Sequence, residues 1–258
     1  MKQIMIKITA ILFLATLSSC GIDMLNRIEG NNNVITINRD INEDFTKVRV
    51  SAGIELIIDQ GSEVSLTVEA DENLHDIIIT EVEDGKLKIY TEKNIWKSAS
   101  KKVYLTVNTL EELKASSGSN VITSTILKAT DLNVVSSSGA RLTLELTAVN
   151  LTSSTSSGAS ANIDVNANNV VSSSSSGSNM KIKGKTTIHE TSASSGSSIN
   201  AYNLLSKNVT AKVSSGASIS VHASESFDGK ASSGGGLSFE GNPEKITRKT
   251  SSGGSISN

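Results

Sequence analysis

Ser156-Ser157-Gly158-Ala159-Ser160-Ala161-Asn162-Ile163 is one of eight stretches opening with Ser-Ser-Gly in the second half of this 258-residue chain. The glycines are Gly118, Gly139, Gly158, Gly177, Gly196, Gly216, Gly234 and Gly253, spaced close to 19 residues apart. A period that survives small insertions marks a solenoid in which each repeat forms one coil.

Aligning the coils on the glycine exposes columns. Three residues after it stand Val121, Leu142, Ala161, Met180, Ile199, Ile219, Leu237 and Ile256, all apolar. Two positions further on, Leu144, Ile163, Ile182, Ala201, Val221 and Phe239 are apolar as well, with Thr123 an exception and Asn258 the last residue of the column. The residue directly after the glycine is always Ser, Ala or Gly, and the residues between these positions, such as Asn120, Arg141, Ser160, Asn179 and Ser218, are polar or glycine with the exception of Ile122. Alternation of period two predicts a strand with one buried face. A second apolar column lies seven residues before the next glycine: Leu132, Leu151, Val170, Val209, Phe227 and Ile246. His189 interrupts it, and the reading moves Ile188 into the inward place. Insertions fall between the columns, so residues 125–130 and 203–207 are expected to be loops. The fold class that follows is all-β, a single-stranded parallel β-helix or solenoid with coils of about 19 residues. Each coil is read as three short strands and three bends, and the crossovers as right-handed. Within Ser-Ser-Gly, the glycine supplies a bend; parity places the second serine inward and the first outward.

Met1 to Ser19 reads as an export signal. Lys2 and Lys7 precede an apolar run, Ile8 to Leu17, too short to span a bilayer. The run ends in Leu17-Ser18-Ser19-Cys20, which resembles a bacterial lipobox; the resemblance implies cleavage before Cys20 and a lipid on it. Cys20 is the only cysteine, so no disulfide can form within the chain. The division expected is a signal peptide at 1–19, a lipidated tether at 20–39 and a β-helical domain at 40–258, with irregular entry strands at 40–115 and Ser-Ser-Gly coils at 116–258. Strand patterns at Phe45 to Val50, Ile54 to Ile58, Val64 to Val68, Ile77 to Val82, Leu87 to Tyr90 and Val103 to Val107 make up the entry portion. Glu83-Asp84-Gly85-Lys86 reads as a hairpin turn and Ala70 to Leu74 as one helical turn.

Two further blocks carry a family likeness. They are Phe45-Thr46-Lys47-Val48-Arg49-Val50-Ser51-Ala52-Gly53-Ile54-Glu55-Leu56 and Gly85-Lys86-Leu87-Lys88-Ile89. Together with the serial Ser-Ser-Gly coils and the ending Ser252-Gly253-Gly254-Ser255-Ile256, they are similar to the bacterial auto-transporter adhesin head, or GIN, domains. The likeness spans roughly residues 40–258. It implies a β-helical cell-envelope protein, often lipid-anchored, and assigns no chemistry to any residue.

Composition excludes several functions. Aromatic residues make up 3% of the chain, too few for an aromatic-lined pocket or for base-stacking platforms. The formal net charge is −2, so nucleic acid is not an expected partner. His75, His189 and His222 show no ligand spacing and read as surface or loop histidines, with no metal. No serine lies in a nucleophile-elbow motif, and Gly234-Gly235-Gly236 lacks the lysine and the strand-to-helix setting of a phosphate loop. No cofactor signature is present. One pair stands out: Glu145 and Asp164 share a column on consecutive coils, about 5 Å apart, as a calcium or ligand pair or as an acid and base for polysaccharide cleavage. Trp96 reads as a partly covered packing residue, and with Tyr104 it is the nearest thing to a sugar-stacking surface. The reading is a non-enzymatic, adhesin-like envelope lipoprotein. It is held to the membrane by the lipid on Cys20 and binds a polysaccharide or an envelope protein. The alternatives are a polysaccharide-acting enzyme and a purely structural spacer. The expected state is a monomer, with a weak end-to-end dimer as the alternative, because Pro243, Arg248, Lys249 and Gly253-Gly254 blunt the last strand edge.

Overall fold

The computed structural model describes residues 27–258. The export signal and Cys20 lie outside the described residues. Five long strands form the body: β13 (Arg141–Thr155), β14 (Ser160–Ser174), β15 (Asn179–Ala193), β16 (Ser198–Val213) and β17 (Ser218–Ala231). Each pairs in parallel with the next, in register, so Leu142, Ala161, Met180, Ile199 and Ile219 stack as one row. Each coil is thus one bent strand of 14 to 16 residues, not three short ones. The bend shows as a break in alternation: Val149 and Asn150 both face outward before Leu151 turns in again. The columns at three and five residues past the glycine are buried over most of their length, down to Leu237 and Phe239. Two further inward columns, Leu127, Leu146, Val165 and Leu204, then Ala148 and Ala167, complete the filling.

The other corner is the Ser-Ser-Gly turn. In Ser156–Ala159 both central residues have positive φ, Ser157 at 51° and Gly158 at 69°, and the Ala159 N–H donates to the Ser156 carbonyl at 3.1 Å. Two successive left-handed residues make a type I′ turn. The Gly158 N–H then donates to the Ser176 carbonyl of the next coil, 3.2 Å away, and the same bond recurs from Gly139 to Ser157 and from Gly177 to Ser195. The turns therefore stack as a ladder of their own. This corrects the parity argument. Two left-handed residues reverse the alternation, so the second serine is exposed and the inward places fall to residues such as Thr155 and Ala159. Because the Ser157 side chain is in solvent, substitutions there act through the backbone. Valine is expected to cost about 1–2 kcal/mol and asparagine, which tolerates this conformation, nothing. Urea unfolding of the two variants checks this; equal stabilities would mean that the turn is not left-handed at Ser157.

Three other expectations change. His189 is fully buried and Ile188 faces solvent. The register Val170↔His189↔Val209 fixes the parity of the whole strand, and moving Ile188 inward would turn every neighbour inside out. His75 is also buried, so the surface reading fails for both. The insertions at 125–130 and 203–207 are not free loops. Leu127 begins a strand, and the extra residues after Ala201 are absorbed as register shifts in β16 that still bury Leu204.

The entry strands extend the same sheet. β3 (Lys47–Val50), β10 (Glu112–Ala115) and β12 (Leu127–Ser136) lead into β13 on one side. β4 (Glu55–Gln60) and β11 (Asn120–Thr123) do so on the other. Ser51-Ala52-Gly53 joins β3 to β4 with φ of 61° and 67° at Ala52 and Gly53, and the Gly53 N–H donates to the Ser117 carbonyl. It is a further copy of the corner turn, 65 residues before Gly118, and the sequence reading did not count it.

Beyond this rung parallel pairing gives way to antiparallel pairing. β9 (Lys101–Val107) lies parallel to β4 but antiparallel to β5 (Ser65–Asp71), and β5 pairs antiparallel with β2 (Val34–Arg39). The hairpin of β6 (Ile78–Glu83) and β7 (Lys86–Thr91) turns at Asp84-Gly85, both with positive φ, and β7 sits against β3. The 3-10 turn Glu72–Leu74 buries Leu74 under this cap. Part of the stretch read as tether is strand: β1 (Arg27–Glu29) pairs with β8 (Asn94–Lys97), and β2 begins at Val34.

Candidate functional site

Rows of like position on the outer face are what this architecture offers to a ligand. Six residues past the glycine, Glu145, Asp164 and Lys183 follow one another in register on β13, β14 and β15. The two carboxylates face outward, flanking a shallow groove of about 520 Å³ that also includes Thr123, Asn162 and Lys181. The third rung alters their chemistry. Lys183 Nζ lies 2.8 Å from Asp164 Oδ2. That hydrogen bond and charge, with a smaller contribution from Glu145, raise the lysine above its ordinary pKa. Asp164 is thereby a neutralised carboxylate, and Glu145 is left as the exposed one. No group of three or more His, Cys, Asp or Glu side chains among the described residues gathers as a metal site.

The serines divide by position. Most of those pointing inward bond one another or backbone carbonyls, Ser153 being the exception with no partner. Ser174 and Ser178 lie 2.8 Å apart, and each reaches Thr155 Oγ1, at 3.0 and 3.1 Å. Ser197 donates to the Ser174 carbonyl at 2.8 Å. These bonds satisfy the hydroxyls named, and burial keeps all the inward serines, Ser153 included, away from a ligand.

The histidines are likewise accounted for by packing. Ser172 Oγ donates to Thr191 Oγ1 at 2.9 Å and lies 3.0 Å from His189 Nε2, which therefore carries the proton and donates in turn. His189 Nδ1 is buried without a partner, and burial pushes the imidazole pKa down to about 4. His75 Nε2 lies 3.2 Å from the Ile35 carbonyl, tying β2 to the cap. His222 sits in another coil, beside Glu240 in register with it.

Trp96 is 61% exposed, with the Arg27 guanidinium 4.3 Å above its ring. It is less covered than the sequence reading placed it, though one face is taken. The Tyr104 hydroxyl donates to Glu69 Oε2 at 3.1 Å. Burial and that carboxylate raise its pKa.

Sequence reasoning missed a polar cluster in the cap. Asp71 is fully buried and accepts the backbone N–H groups of Asn32 at 2.6 Å, Ala99 at 2.8 Å and Ser100 at 3.1 Å. Gly30 passes so close that a Cβ there would meet the carboxylate at 2.4 Å. The run Gly30-Asn31-Asn32-Asn33, with Asn32 at φ 59°, was the available signal, since these residues suit turns better than tethers.

The model of the family described as "Putative auto-transporter adhesin, head GIN domain" matches residues 44–243. No curated protein matches the chain. Among solved structures it is similar to a "putative lipid binding protein" of Parabacteroides distasonis ATCC 8503, with 22% identity and a TM-score of 0.83 over 90% of this chain and 98% of that one. A "putative adhesin" of Parabacteroides merdae ATCC 43184 gives 19% identity and a TM-score of 0.84, over 90% and 98%. A "putative adhesin" of Parabacteroides distasonis ATCC 8503 gives 18% and 0.84, over 90% and 99%. At these identities the likeness establishes the fold.

Proposed function

The chain belongs to the auto-transporter adhesin head GIN-domain family, and on that premise we propose that it is a non-enzymatic binding module of the cell envelope that holds an extended polysaccharide along its outer columns. The observation that carries the reading is the register. Polar outward positions repeat on successive rungs about 4.8 Å apart, giving a rigid linear array that suits a repeating polymer, and the charged residues on it do not converge on one point. A lipid on Cys20, following the lipobox-like Leu17-Ser18-Ser19, would hold this module at a membrane surface. The family's adhesin character agrees with an extracellular or envelope-associated setting.

Catalysis by the carboxylate pair is the rival reading. An acid–base pair needs both carboxyl groups free to face the scissile bond, and Asp164 is instead engaged by Lys183 at 2.8 Å. A glycan array run beside a cleavage assay on the same glycans separates the two. Retention of at least one polysaccharide without product release is expected. Product release that disappears in Glu145→Gln would establish the enzyme instead, and silence in both assays would leave a structural spacer.

A further inference from the structure

Four residues before the turn glycine, on the outer face of the strand, the rungs read Ser173, Ser192, Lys212, Lys230 and Lys249 in unbroken register. All three lysines are exposed. Among the described residues, none of their amines has a carboxylate within 4.0 Å. Several other charged columns contain an ion pair. Lys183 follows two carboxylates and bonds one; Lys207 pairs with Glu225, and Lys114 with Glu112. Like charges directly opposed on neighbouring strands repel; Lys88, Arg49 and Lys114 also stand in register on β7, β3 and β10, but there Glu83 and Glu112 pair with the two lysines, whereas the row at 212, 230 and 249 has no such relief. Glu190 and Asp228 stand two residues back along their strands, and neither closes on the row.

The row forms one wall of a groove of about 610 Å³ whose other wall is the serine column at the corner, including Ser175, Ser194 and Ser214. Those serines are half-buried, with backbone N–H groups already bonded to the preceding coil, so they offer hydroxyls. One wall of ammonium groups and one of hydroxyls, running along the solenoid axis, has the chemistry of a polyhydroxylated chain bearing regular negative charge.

We propose that this groove binds a linear acidic polysaccharide, carboxylated or sulfated, with its anionic groups on Lys212, Lys230 and Lys249. The rung spacing of about 4.8 Å is close to the length of one sugar residue in an extended chain, so consecutive acidic residues can meet consecutive lysines. No aromatic ring lines the groove, which removes the stacking platform a single-stranded nucleic acid uses. Its only apolar lining residues, Ala193, Val213 and Ala231, are buried, so it has no side chain to insert into a bilayer. The inference rests on the polysaccharide-binding reading above and names the class of glycan.

Binding of the purified protein to polygalacturonate and to heparin tests it, with a neutral β-linked glucan, vesicles containing phosphatidylserine and an oligodeoxythymidylate as the other ligands. The expected result is tighter binding of at least one acidic glycan than of every other ligand, with affinity falling as salt rises. It should drop at least tenfold in the triple variant K212Q/K230Q/K249Q. The variant K93Q/K128Q/K185Q, with the same change in charge elsewhere, should bind as the parent does. Circular dichroism melts establish that both variants are folded. Equal losses in the two variants, or none in the first, would overturn the assignment to this groove. Preference for vesicles or for the oligonucleotide would overturn the ligand class. Binding of the neutral glucan alone would sink this inference and leave the polysaccharide reading standing, whereas no binding to any glycan would remove both.

Discussion

Alanine in place of Asp71 is expected to cost about 3–5 kcal/mol, because three backbone N–H groups lose their acceptor at once in a site closed to water. The carboxylate joins segments far apart in sequence: Asn32 ahead of β2, and Ala99 and Ser100 ahead of β9. Losing it should therefore free the outer edge of the cap before it affects the coils. Hydrogen exchange in β1 and β2 should accelerate in Asp71→Ala while β13 to β16 stay protected, in keeping with repeats that depend on their neighbours. Burial alone would raise this carboxyl, but the N–H donors from Ser100, Asn32 and Ala99 more than reverse it, and its pKa lies below 3.8. Its stabilising contribution is present above the unfolded value of 3.8 and is lost as pH falls through the lower folded value. Denaturant unfolding that differs by less than 1 kcal/mol between parent and variant would show that water replaces the carboxylate freely.

The second large effect belongs to His189 and lies in a different pH window. Burial lowers the imidazole from 6.5 to about 4, so the folded protein keeps it neutral where the unfolded chain would protonate it. Stability from this residue is complete above pH 6.5 and is lost as pH falls from 6.5 toward 4, by about 3 kcal/mol. His189→Val restores the aliphatic column of Val170 and Val209 and removes the orphaned Nδ1, while Ser172 keeps its bond to Thr191. The variant should match the parent within about 1 kcal/mol at pH 7.5 and exceed it by about 3 kcal/mol at pH 4. Urea titrations at the two pH values read this difference directly. Parallel pH profiles for the two proteins would mean that the histidine is solvated.

Repetition separates most of the residues that were easy to read from those that were hard. Leu142, Ile163 and Ile199 were legible because each recurs at a fixed distance from a glycine, and a repeat makes its buried face visible several times over. His189 occurs once in its column. A rule that judges each residue by hydrophobicity moves it outward, whereas register binds it to thirteen other pairs on the same strand. The exposed second serine was hidden because period-two counting assumes extended backbone, and two left-handed residues break that assumption. Asp71 was hard to read for another reason: its partners come from two distant segments, and of these only the turn-forming run at Gly30 to Asn33 carries a local signal. The lysine row was present in the alignment all along, four residues before Gly216, Gly234 and Gly253. An exposed charged column carries no fold signal, so nothing in the apolar pattern points to it. Glu145 and Asp164 were placed on one outward column from sequence, but that Lys183 claims Asp164 depends on side-chain reach, which spacing does not give.

A crystal structure of the protein with an acidic oligosaccharide bound tests the central claim most directly. The account predicts an intact chain lying along the solenoid axis on an outer face, touching the same column on at least three successive rungs. A ligand confined to one coil, seated in the cap, or found cleaved beside Glu145 would contradict it.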